Sequence, residues 1–136
     1  MSHPLKHAES SARLFGGKAE DYEKIHDWFD ATKETFADYR HRALRHHSQG
    51  IFEAERFFGV TIKNSSGTLV PVRYIGEQHV KEDCGGRIPS VSDWLRNIRP
   101  EGWMSRGYTL NKEEANGKDE GTVGGDDESG EDGADE

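Results

Sequence analysis

One cysteine, Cys84, stands among 136 residues. A lone thiol excludes an intramolecular disulfide and any zinc site built from several thiolates. Long apolar runs are missing too. No stretch approaches the roughly 20 residues that span a bilayer, and the N-terminus lacks the apolar core of a signal peptide. The expected setting is therefore reducing and cytoplasmic, with no membrane contact. Signature motifs are also scarce. There is no His-Glu-x-x-His zinc motif, and Cys84-Gly85-Gly86 is not followed by the Lys-Ser or Lys-Thr of a phosphate loop. No serine or threonine is set up as a nucleophile by any motif.

Charge of one sign is absent from most of the chain. Residues 111–136 hold eleven acidic residues and two lysines, a balance of −9, whereas the whole chain carries −8. The first 110 residues are thus close to neutral at +1, which disfavours a dedicated nucleic-acid binder. With three apolar residues, many glycines and self-repelling charge, the tail 111–136 is expected to be disordered. The expected organisation is a helical, His-rich domain over 1–110 with a β-hairpin near 60–74, followed by that tail. The fold class is mainly α.

What the first 110 residues do contain is helical periodicity. Ser2-His3-Pro4 reads as a helix start, and Leu5, Ala8, Ala12 and Phe15 form an apolar stripe that ends at Gly16-Gly17. A second helix over 19–31 presents Tyr22, Ile25 and Phe29, with His26 on the same side. A third, over 33–47, puts Phe36, Ala43 and Leu44 inward. Arg40 and His47 share that face, and His41, Arg42 and Arg45 look outward. Helix 51–58 follows, closed by Gly59. Val60-Thr61-Ile62-Lys63 and Leu69 to Tyr74 flank Asn64-Ser65-Ser66-Gly67 as a hairpin, with Pro71 confining its strand to an edge. Two further helices are expected over 76–84 and 91–98, the latter capped by Ser90.

Histidine is the unusual abundance: seven occur within the first 79 residues. His26 and Asp30 are four apart, as are His79 and Asp83 and the pair His3 and His7, a spacing that stacks two side chains on one helix face. Imidazole with carboxylate suits zinc, iron, manganese or nickel. The expected ligand set is His26, His47, His79 and Asp83. His3 and His7 are read as surface residues of a frayed first turn. The ordinary alternative for each histidine is a buried ring with a hydrogen-bond partner. An inward Arg40 would need an acidic partner, with Asp30, Glu53, Glu55 and Asp83 as candidates.

The strings His3-Pro4, Ile25-His26-Asp27-Trp28-Phe29-Asp30, Arg40 through His47, Gly76-Glu77-Gln78-His79-Val80 and Asp93-Trp94-Leu95 resemble an uncharacterised family of small His-rich bacterial and phage proteins. The resemblance covers about residues 3–104 and brings no known activity with it. It implies a bacterial or phage cytoplasmic setting.

These readings converge on a divalent-metal-binding helical domain, conceivably hydrolytic if a metal-bound water completes the shell. The competing function is a non-enzymatic accessory protein that contacts a host protein. A third is weak nucleic-acid binding through Arg42 and Arg45.

Overall fold

The computed structural model describes residues 4–108. The tail expected over 111–136 lies outside the described residues. The chain divides into two units, Met1–Leu95 and Arg96–Glu136.

The first unit is mainly helical with one antiparallel hairpin. Helix α1 (Pro4–Phe15) ends at Gly16 and Gly17, whose positive φ angles of 86° and 72° favour glycine. A 3₁₀ turn (Ala19–Asp21) leads into α2 (Glu23–Asp30). Two further 3₁₀ turns (Ala31–Glu34 and Tyr39–His41) precede the single turn of α3 (Arg42–Arg45), and α4 (Ser48–Phe58) follows. Strands β1 (Thr61–Lys63) and β2 (Leu69–Pro71) pair with Ile62 opposite Val70. Helix α5 (Val72–Asp83) packs against α1, α2 and α4, and α6 (Val91–Leu95) closes the unit.

The apolar core is modest: Ala8, Tyr22, Ile25, Phe29, Ile51, Ala54, Val70, Val72, Ile75 and Val80. Gly76 lets α5 lie flush on it, since a Cβ there would stand 3.1 Å from the Phe29 ring and 3.3 Å from Ile51. The hairpin is tied in by Asn64, whose Oδ1 accepts from the backbone N–H groups of Ser66 and Thr68 while Nδ2 donates to the Tyr22 hydroxyl.

Four sequence expectations change. On α1 the buried side chains include His7 and Ser11, and Leu5 is exposed, so the inward face is rotated and partly polar. Residues 72–74 begin α5 instead of extending the hairpin, because Pro71 has no N–H for a ladder but carries the extended conformation of a helix N-cap. The helix expected over 33–47 is broken. The Asp38 side chain caps a new turn by accepting from the Arg40 N–H, and the break resets the phase of everything after it. Arg40 is consequently exposed, paired with Asp38 at 2.7 Å and stacked on Phe36, while His41 and His46 turn inward. Finally, the helix expected over 51–58 starts earlier, at Ser48, with Gly50 in the first turn of α4. A Cβ there would stand 1.9 Å from the Arg45 carbonyl oxygen, so only glycine allows α4 to start this close to α3.

Ser90 does cap α6: its Oγ accepts from the Asp93 N–H, and Asp93 accepts from the Ser90 N–H in return. In the second unit the 3₁₀ turn Gly102–Ser105 buries none of its residues. Among the described residues, no helix is long and apolar enough to cross a membrane.

Candidate metal centre

All six histidines among the described residues are buried: His7, His26, His41, His46, His47 and His79. Buried polar groups are costly unless partnered, so the partners decide what each ring does.

Four residues from three stretches of chain converge. Asp30 is the last residue of α2, His46 follows α3, and His79 and Asp83 lie one turn apart on α5. Each offers a ligand atom, and the four atoms lie within 4.8 Å of one another. His46 Nε2 and His79 Nε2 face each other at 3.2 Å. Asp83 Oδ2 is 3.0 Å from the first and 3.3 Å from the second. Asp30 Oδ1 is 3.5 Å and 3.4 Å from the same two nitrogens. Exposure of the four side chains is 0–5%.

The polar atoms here are under-satisfied. Both oxygens of Asp30, Asp83 Oδ1, His46 Nδ1 and His7 Nε2 are buried without an aligned hydrogen bond. Even so, both carboxyls are held well below the usual carboxylate range. Burial pushes them up, but His46 and His79, with His7 in addition at Asp83, more than offset it. The site therefore presents two buried carboxylate anions.

A second group adjoins the first through His79, whose Nδ1 lies 2.9 Å from His26 Nδ1; His7 completes it. His7 lies against the His79 ring, tilted by 32° with centroids 3.9 Å apart, donates toward Glu82 from Nδ1 at 2.8 Å and turns Nε2 to Asp83 Oδ1 at 3.3 Å. Burial opposes protonation of His7, yet the nearby Asp83 and Glu82 carboxylates raise its pKa above the ordinary value. His26 is the opposite case: burial first, then its His79 and His7 neighbours, push its pKa down to about 2.

The expected ligand set is thus only partly assembled. His79 and Asp83 stand together, and His26 touches His79 but lies beside the four-atom group. His47 does not join either group. Its Nδ1 accepts from the Gly50 N–H at 2.9 Å and caps α4. Asp30, His46 and His7 were missing from that set. Asp30 had a visible signal in its phase with His26, and His46 was one residue from the position expected. His7, expected at the surface, is fully buried. Arg45 lies over Trp28 and donates to its carbonyl oxygen. Cys84 is a half-buried free thiol whose pKa burial raises.

The family described as Domain of unknown function (DUF6915) matches residues 2–104, and the chain belongs to it. No curated protein and no solved structure matches the chain.

Proposed function

We propose that this member of the family holds one divalent cation, zinc by size and ligand type, between Asp30, His46, His79 and Asp83. One observation carries the proposal. Five of the six separations among His46 Nε2, His79 Nε2, Asp83 Oδ2 and Asp30 Oδ1 run from 3.0 to 3.5 Å. A regular tetrahedron with edges of that size has its centre about 2 Å from each corner, the length of a zinc–nitrogen or zinc–oxygen bond. Two carboxylates also match the charge of a divalent ion, which removes the cost of leaving them unpaired in the interior.

A metal-free ionic cluster is the second reading, favoured by the 3.0 Å contact between His46 and Asp83. To serve both carboxylates, His46 and His79 would each need a proton on Nε2. Those two atoms are 3.2 Å apart, so the N–H groups would point at one another. With one proton shared between the rings, Asp83 can still turn to His7 Nε2 at 3.3 Å, but Asp30 depends on that single shared proton. The cation resolves both problems.

Burial of all four side chains supports a closed, four-coordinate centre that holds the fold, because catalytic zinc sites keep a position open to water. The weight then moves from hydrolysis to an interaction role for the domain. A bacterial or phage cytoplasm fits this reading, and the ligands contain no thiolate that a change of redox state would alter.

The test is calorimetric titration of chelator-stripped protein with zinc, ferrous iron, manganese and nickel, alongside an Asp30→Asn, His79→Gln double variant. One equivalent of zinc, lost in the variant, is expected. No binding by the unmodified protein, or equal binding by the variant, overturns the proposal.

A further inference from the structure

We infer that a hydrogen-bond chain of fixed direction, from the His7 carbonyl through Gln78, Ser11 and His26 to His79, keeps a proton on His79 Nδ1 and so leaves Nε2 as the atom presented to the four-residue centre. The direction follows from which atoms can only accept. Gln78 Nε2 lies 2.9 Å from the His7 carbonyl oxygen, and a carbonyl has no proton to give. That end of the amide is therefore the NH₂ group, and Oε1 is the acceptor end. Ser11 Oγ stands 2.6 Å from Gln78 Oε1 and 3.1 Å from the His7 carbonyl oxygen. Whichever it serves, the single hydroxyl proton goes to an acceptor.

Ser11 Oγ must then accept from its remaining neighbour, His26 Nε2, at 2.7 Å. So His26 carries its proton on Nε2. Its ring nitrogens meet only Ser11 and His79 among the described residues, with no carboxylate at hydrogen-bond distance to compensate a positive ring. A neutral ring has one proton, which leaves Nδ1 as a lone pair. The 2.9 Å contact between His26 Nδ1 and His79 Nδ1 is consequently donated by His79.

With its proton on Nδ1 shared with His26, His79 presents Nε2 to His46 Nε2, Asp83 Oδ2 and Asp30 Oδ1 at 3.2, 3.3 and 3.4 Å. Ser11, Gln78 and His26 are positioning residues in this account. They correspond to the outer-shell partners that fix the tautomer and ring orientation of a metal-bound histidine. The same chain occupies the facing nitrogens of His26 and His79, so the group His7, His26 and His79 holds no second ion. The direction of the chain stands on hydrogen-bond chemistry alone, whereas its service to a cation rests on the proposed function.

The experiment is long-range ¹H–¹⁵N NMR of the imidazole nitrogens in the full chain, metal-free and with one equivalent of zinc, with zinc affinity measured for Ser11→Ala. The expected spectra show protonated Nδ1 on His79 and protonated Nε2 on His26 in the metal-free protein. Ser11→Ala is expected to bind zinc 10- to 100-fold more weakly. An unprotonated His79 Nδ1, or a proton on His26 Nδ1, overturns the chain, as does unchanged affinity with an unchanged His79 Nδ1 proton in the variant. If zinc does not bind at all, the metal-free spectra still decide the chain, and the loss falls on the proposed function alone.

Discussion

Zinc at a free concentration 100 times its dissociation constant stabilises a folded state that alone binds it by about 2.7 kcal/mol. The four ligands come from α2, the residue after α3, and α5, so the unfolded chain has no equivalent site. The unit they hold together is Met1–Leu95, a size at which 1 kcal/mol moves Tm by about 4–8 °C. The expected rise for chelator-stripped protein is therefore roughly 10–20 °C in differential scanning calorimetry. Asp30→Asn keeps the shape of the side chain but removes one of two anionic ligands, whose oxygens have no aligned hydrogen bond in the fold. At a hundredfold loss of affinity the same zinc concentration adds only about 0.4 kcal/mol, a shift of roughly 2–3 °C. Magnesium, which prefers six oxygen ligands, is expected to move Tm by less than about 2 °C in either protein. Equal zinc shifts in the two proteins, or a negligible shift in the unsubstituted protein, would rule out a cation held by Asp30.

Further outcomes follow from neighbouring residues. His47→Ala removes the N-cap of α4 and should cost about 1 kcal/mol in urea denaturation while leaving zinc stoichiometry intact; loss of zinc would place His47 in the centre after all. Gly50→Ala drives a Cβ into the Arg45 carbonyl and should destabilise by about 3 kcal/mol or more, with weaker zinc binding as His46 shifts; a Tm like that of the parent would contradict the close α3–α4 approach. In acid, two histidines of the metal-free protein act in opposite senses. The lowered pKa of His26 contributes stability above pH 6.5 that is lost as pH falls toward about 2, whereas the raised pKa of His7 contributes stability below 6.5 that is lost as pH rises. His7→Gln removes the second contribution, so its stability should lack the decline that the parent shows as pH rises above 6.5, while below 6.5 both proteins fall alike through His26. Parallel profiles of the two proteins above pH 6.5 in urea titrations would show that His7 carries no such contribution.

Where apolar residues mark a buried face, the sequence reading and the fold agree. Tyr22, Ile25 and Phe29 on α2, the hairpin around Asn64 to Gly67, and the Ser90 cap all follow from local patterns. Hydrophobic periodicity misleads where the buried face is itself polar. On α1, the exposed Leu5 and buried His7 and Ser11 rotate the face away from the apolar stripe. For the centre, the two pairs His26–Asp30 and His79–Asp83 were legible because i, i+4 spacing on an intact helix survives folding. His46 was not legible. Its direction depends on the break made by the Asp38 cap, and an uninterrupted helix over 33–47 carries an error of phase straight to His47. Convergence of α2, α3 and α5 is tertiary, and no spacing within one helix encodes it.

X-ray absorption at the zinc edge of the full chain, loaded with one equivalent, tests the closed His₂Asp₂ centre most directly. The expected spectrum has four nitrogen or oxygen scatterers at about 2.0 Å, outer-shell features of two imidazoles, and no sulfur at about 2.3 Å. Five or six light scatterers with fewer than two imidazoles would contradict it, because a shell completed by water means that zinc is bound elsewhere or in an open site.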